Sequence, residues 1–160
     1  DKRIVIAGCR DYFNYSQAKE YIDMCLRNIR NQFTIIIVSG GCRGADMLGL
    51  RYAAENKMDF EIYKADWTHF GRAAGPLRNR RMAEVCDYVI CFWDGKSKGT
   101  FSMIQEAKKL NKPLRIKYNN EPSTRFAGTR LKARQSSHRR SVISESGFRK
   151  VKCLAVLDVK

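Results

Sequence analysis

Three short stretches of this sequence combine glycine with basic or hydroxyl side chains. They are Gly8-Cys9-Arg10-Asp11-Tyr12, Ser39-Gly40-Gly41-Cys42-Arg43-Gly44-Ala45-Asp46 and Trp93-Asp94-Gly95-Lys96-Ser97-Lys98-Gly99-Thr100. Glycine lets backbone amides approach an anion with no Cβ in the way. Arginine adds bidentate, charge-assisted hydrogen bonds. A helix beginning just after such a loop adds unpaired amides and a partial positive charge. Together these are the parts of a phosphate site. A fourth stretch, residues 65–82, adds Trp67, His69 and Phe70, which either stack on a base or pack a loop, and the basic cluster Arg72, Arg78, Arg80 and Arg81. A helix opening at Pro76 puts Arg78 and Asn79 in its first turn.

These loops need a scaffold that brings them together, and the apolar pattern supplies one. Strands are predicted at 3–8, 34–38, about 60–63, 88–92 and 113–118. Helices are predicted at 16–31 (with Ser16 as N-cap), 45–57, 76–86 and 100–110. Strands alternating with helices of this length form a mostly parallel sheet of about five strands with helices on both faces, a Rossmann-like α/β sandwich. In such a sheet the strand C-termini share one rim, where ligands bind. The glycine loops follow strands one, two and four and therefore meet there. The expected ligand-binding residues are Gly8, Arg10, Ser39, Gly40, Gly41, Arg43, Gly44, Asp46, Trp67, Arg78, Asn79, Gly95, Gly99 and Thr100. The loops match neither GxxxxGK[ST] nor GxGxxG, which disfavours a P-loop or an NAD site.

Composition narrows the class. Net charge is +15, from 31 basic and 16 acidic residues. Residues 1–118 account for +8 and residues 119–160 for +7, so about a quarter of the chain holds nearly half the excess. That balance favours anionic partners, either phosphorylated small molecules or nucleic acid. No apolar run approaches the roughly 18 residues needed to span a bilayer, and the opening DKRIVIAG reads as a strand rather than a signal peptide. The six cysteines form no CxxC pair and only two histidines accompany them, so neither a metal nor a cofactor is expected. Reduced thiols fit a cytoplasmic protein.

The expected division is a nucleotide-binding domain at 1–118 and a basic tail at 119–160, disordered or loosely appended. A strand-like final segment, VKCLAVLDVK, could add an edge.

The ordered series GCRDY, VSGGCRGAD, ADW, GRAAGPLRN followed by Met82, and DGKSKGT resembles the SLOG superfamily, specifically its YspA-like branch, over residues 3–118. The resemblance implies a nucleotide or nucleotide-derived ligand at the strand C-termini, held by a sensor or carrier domain, and association into homo-oligomers through helices beside the pocket. The superfamily also includes the LOG phosphoribohydrolases and the DNA-processing protein DprA. LOG enzymes carry an arginine-lysine pair before a methionine, similar to Arg78, Asn79 and Met82, and a PGGxGTxxE motif whose glutamate supports hydrolysis. Here Met103 stands three residues after Thr100, in the place of that glutamate, and Glu106 is not equivalent to it. The resemblance thus leaves the catalytic residues unassigned. A nucleotide N-glycosidase, with Asp46, Asp66 or Asp94 as substitute acid, is the alternative to a binding domain. Non-specific nucleic-acid binding through the basic tail is the other.

Overall fold

A computed structural model describes residues 1–119 of the chain. Five strands, β1 (Lys2–Gly8), β2 (Ile35–Ser39), β3 (Asp59–Ile62), β4 (Tyr88–Trp93) and β5 (Leu114–Tyr118), form one parallel sheet in the order β3-β2-β1-β4-β5. The helices are α1 (Tyr15–Leu26), α2 (Ala45–Glu55), α3 (Trp67–Phe70), α4 (Ala74–Val85) and α5 (Lys98–Lys109), with a 3-10 turn at Gly71–Ala73. This is the Rossmann-like α/β sheet that the alternating pattern predicts. The expected tail and its strand-like end, residues 120–160, lie outside the described residues.

The central strands are apolar on both faces because helices cover both. Ile4 and Ile6 of β1, with Ile90 and Phe92 of β4, pack beneath Ile22 and Leu26 of α1 and Tyr52 of α2. The alternate residues Val5, Ala7, Val89 and Cys91 pack on the other face under Met82 of α4 and Met103 and Ile104 of α5. Cys86 and Cys91 are buried thiols in this second layer, as their apolar surroundings in the sequence suggest.

Helix boundaries shift by a residue or two at α2, α4 and α5, and further at α1. The N-cap of α1 is Asn14, whose Oδ1 accepts from the Gln17 amide at 3.1 Å, and Ser16 lies inside the helix. The helix stops at Leu26, yet Ile29 is still buried, because a turn bond from its amide to Leu26 O at 3.0 Å folds it back onto the core. Helix α4 opens at Ala74, which moves Pro76 to the third helical position and Arg78 into the second turn. Proline is tolerated there because the first-turn amides have no intrahelical acceptor.

The tightest backbone approach is at Gly44, the N-cap of α2, with φ +81° and ψ −131°. A Cβ there would collide with the Cys9 carbonyl, and the next amide, Ala45 N, donates to that same carbonyl at 3.1 Å. Gly44→Ala is expected to lower stability by about 3 kcal/mol, combining strain in a glycine-only conformation with a backbone clash. Denaturant unfolding measures it, and a loss below 1 kcal/mol would contradict the packing described.

Candidate ligand cleft at the strand C-terminal rim

The order β2-β1-β4 places a topological switch point at the β1/β4 boundary. The helix after β1 packs on one face and the helix after β4 on the other, which leaves a crevice between the two loops. A cleft of about 660 Å³ lies at this rim, within the range of nucleotide-sized pockets.

The glycine loop after β2 is wrapped around an anion of its own. Asp46, in the first turn of α2, is 5% exposed. Its Oδ2 accepts from the Cys42 amide at 3.3 Å, and the amides of Gly8 and Gly40 also point at its carboxylate. Ser39 braces the turn: its Oγ donates to Asp46 O at 3.1 Å and accepts from the Gly41 amide at 3.1 Å. A Cβ on Gly40 would stand 2.7 Å from Asp46 Oδ2 and would overlap the Arg78 guanidinium, so glycine is required there for close approach. Burial pushes the Asp46 carboxyl up to about 6, against the pull of the Arg78 charge and of the amides of Cys42, Gly8 and Gly40.

Arg78 reaches this assembly from α4. Its Nη1 donates to Gly40 O at 2.9 Å and to Tyr63 O at 3.3 Å, and its Nε to Asn79 Oδ1 at 3.0 Å. Nη1 and Nη2 each also make a weak contact to Cys42 Sγ at 3.8 Å. The Asn79 carboxamide then donates to Gly99 O at 3.2 Å and Ser102 Oγ at 3.3 Å, tying α4 to α5.

The helix start at α5 is arranged differently. Ser97 caps it through Oγ, which accepts from the amide (3.5 Å) and hydroxyl (3.2 Å) of buried Thr100. Asp94 accepts the amides of Ser97 at 2.7 Å and Lys96 at 2.8 Å, and those bonds hold its carboxyl below the usual range. The amides of Lys98 and Gly99, in the first turn, precede any intrahelical acceptor. Both residues line the cleft, and a Cβ on Gly99 would meet nothing within 4 Å. A helix start of this kind is chemically suited to an anion.

On the outer wall Trp67 is 52% exposed, its ring lying above Gly75. Phe70 is exposed outside the cleft, and His69 is held by Asp66, which caps α3 and accepts from the His69 amide at 3.1 Å and meets its Nδ1 at 2.7 Å. Met82 and Met103 are buried in the cleft floor. Of the residues expected from the sequence, the cleft brings together Gly8, Arg10, Arg43, Asp46, Trp67, Arg78, Asn79, Gly99 and Thr100. Ser39, Gly40, Gly41 and Gly44 stand behind it, shaping the Asp46 nest, and Gly95 turns an exposed loop outside it. Arg72, Ser97 and Lys98 also line the cleft; they lie in the stretches singled out from the sequence but are not among the expected ligand-binding residues. The last two become visible once Ser97 is read as a helix N-cap ahead of Lys98-Gly99-Thr100. Among the described residues, no three His, Cys, Asp or Glu side chains are grouped to hold a metal, and no helix is long and apolar enough to cross a membrane.

The family model of the YspA, cpYpsA-related SLOG family matches residues 2–70. Gene 61 protein of Mycobacterium phage D29 is 30% identical over 127 residues, covering 76% of this chain and 99% of that protein. Among solved structures, DNA processing protein A from Helicobacter pylori, described for its single-stranded DNA binding mode, superposes with a TM-score of 0.56 at 21% identity. That match covers 76% of this chain and 68% of that one. DNA processing protein A from Streptococcus pneumoniae gives a TM-score of 0.55 at 18% identity over 72% of this chain. The chain spans about half the length of the pneumococcal protein, 49%. At these identities the two structures share the fold.

The Asp46 nest has a pH signature. A carboxyl whose folded value is raised costs nothing below its unfolded value near 3.8, where both states are protonated, and imposes its full penalty above about 6. That penalty is about 3 kcal/mol. Asp46→Asn should therefore match the wild type in stability near pH 3.5 and exceed it increasingly from pH 4 to 6.5. Paired denaturant titrations across this range test it, and a constant difference would show that Asp46 does not titrate there.

Proposed function

The chain belongs to the YspA, cpYpsA-related SLOG family, and from that premise we propose that its cleft binds a phosphorylated nucleoside or a nucleotide-derived ligand, as a sensor or carrier domain. The observation that supports this best is the open start of α5. Lys98 and Gly99, whose amides precede any intrahelical acceptor, line the cleft together with the exposed Arg10, and Trp67 forms the outer wall. Phosphate at α5 and a base against the Trp67 ring is the pose these groups favour. None of Arg10, Arg43, Arg72 and Lys98 forms an ion pair among the described residues, so their charge is available to a ligand.

Binding without hydrolysis is favoured by Met103. It is 1% exposed and packed with Met82, where a LOG-type glutamate would stand. Asp46, the cleft's buried carboxylate, already accepts backbone amides. A nucleic-acid reading draws on the net charge of +15 and on the DNA-binding description of the Helicobacter protein. It predicts affinity for single strands that falls steeply with salt.

Calorimetric titration with nucleoside mono- and diphosphates and ADP-ribose, each followed by mass spectrometry for free base, separates these readings. At least one of these ligands should bind and be recovered intact. For that ligand, Arg10→Ala is expected to cost about 1.5 kcal/mol, roughly tenfold in affinity. Trp67→Ala should cost a similar amount for purine ligands. Unchanged affinity in both variants would remove the cleft as the site, and release of free base would make the protein an N-glycosidase.

A further inference from the structure

The first turn of α5 carries an aromatic surface outside the cleft. Lys98, Gly99, Thr100, Ser102 and Met103 line the cleft and Phe101 does not, so its ring lies on the other side of the same turn. That ring is 46% exposed. One face stacks on Trp93, with centroids 5.8 Å apart and planes at 27°. The exposure therefore belongs to the opposite face and the edge. Trp93 is itself held in place: its indole N–H donates to Ser97 O at 3.1 Å, and Tyr118, its register partner on β5, packs at 5.9 Å. A ring backed in this way is already ordered and loses little freedom when something stacks on it. Its surroundings are cationic. Lys96 and Lys98 are exposed in the same loop and turn, and the chain passes from Tyr118 into residues 119–160, which hold +7 of the net charge. That charge favours an anionic occupant over a neutral apolar one. An open ring face beside cations is the chemistry that takes up single-stranded nucleic acid, whose bases stack while its phosphates meet positive charge.

Resting on the nucleotide reading above, we propose that the ligand is a single-stranded oligonucleotide of at least two residues. One base lies against Trp67 in the cleft, the linking phosphodiester sits at the start of α5, and the neighbouring base stacks on Phe101. A mononucleotide fills the first two places and leaves the third open. Binding through the basic residues after 119 alone is a different mode, because it needs no ring.

The test is calorimetry on the full chain with adenosine 5′-monophosphate and the dinucleotide ApA. ApA carries a single charge, so a stretch of basic chain gains little from it and any advantage over the mononucleotide comes from the second base. ApA should bind at least fivefold more tightly, the low end of what one stacked base contributes. Phe101→Ala should bring the two affinities within twofold of each other and leave that for the mononucleotide unchanged. Phe101→Leu, which keeps an apolar group on Trp93 but removes the ring, should do the same, and Phe101→Tyr should keep the preference. Melting curves check that each variant is folded. Equal or weaker binding of ApA overturns the proposal and leaves the nucleotide reading standing. So does a preference that survives Phe101→Ala, or a loss of affinity for both ligands in Phe101→Leu, which would mean that the ring only supports the start of α5. A dimer that sediments as such and dissociates on Phe101→Ala assigns the ring to a second copy and also overturns it. Failure of both ligands to bind overturns both readings.

Discussion

One buried negative charge ties together the parts that build the rim. The Asp46 carboxylate belongs to α2, receives the Cys42 and Gly40 amides from the loop after β2 and the Gly8 amide from the end of β1, and faces an arginine from α4. A carboxylate taken out of water with too few donors would be strongly unfavourable. The loop is glycine-rich because those donors have to converge on it: Gly40 admits the Arg78 guanidinium and the Asp46 oxygen, and Gly44 lets the backbone turn against the Cys9 carbonyl. Arg78 closes the arrangement by bonding the Gly40 and Tyr63 carbonyls, which fixes α4 over the ends of β2 and β3.

This constraint bears on where the charge of the proposed ligand would go. The nest after β2 already holds an anion, and the guanidinium beside it is largely committed to carbonyl acceptors. The start of α5 has a side-chain cap from Ser97 to the Thr100 amide, and the two residues before Thr100, Lys98 and Gly99, line the cleft. Asn79 couples the two regions, since one carboxamide contacts both Arg78 and the first turn of α5. The cleft is therefore asymmetric: one end is pre-filled by the protein and the other is open.

Much of this could be read from the residues. The continuous apolar runs at Ile4–Ala7 and Tyr88–Phe92 require a sheet covered on both faces, and the alternation of Ile4 and Ile6 with Val5 and Ala7 between the two core layers follows from that cover. The convergence of loops at the rim follows in turn from parallel strands. What the sequence hid was which anion each loop serves. Asp46 lies within the same eight residues as the glycines, and only the path of the chain shows that Cys42, Gly40 and Gly8 turn their amides inward to it. The start of α4 was masked for a similar reason. Proline satisfies the first helical position and the third equally well, and the choice depends on how the 3-10 turn at Gly71–Ala73 feeds the helix. At α1, Asn14 and Ser16 are both good caps, and the hydrogen bond to Gln17 selects the first.

Backbone amide chemical shifts, recorded as adenosine 5′-monophosphate is added, test most directly whether α5 rather than the glycine loop receives the ligand. The account predicts the largest changes at Lys98, Gly99 and the Trp67 indole N–H, with the Gly40 and Cys42 amides nearly still because Asp46 already holds them. Large shifts at Gly40, Gly41 and Cys42 with α5 unmoved would contradict it, placing the phosphate in the nest after β2.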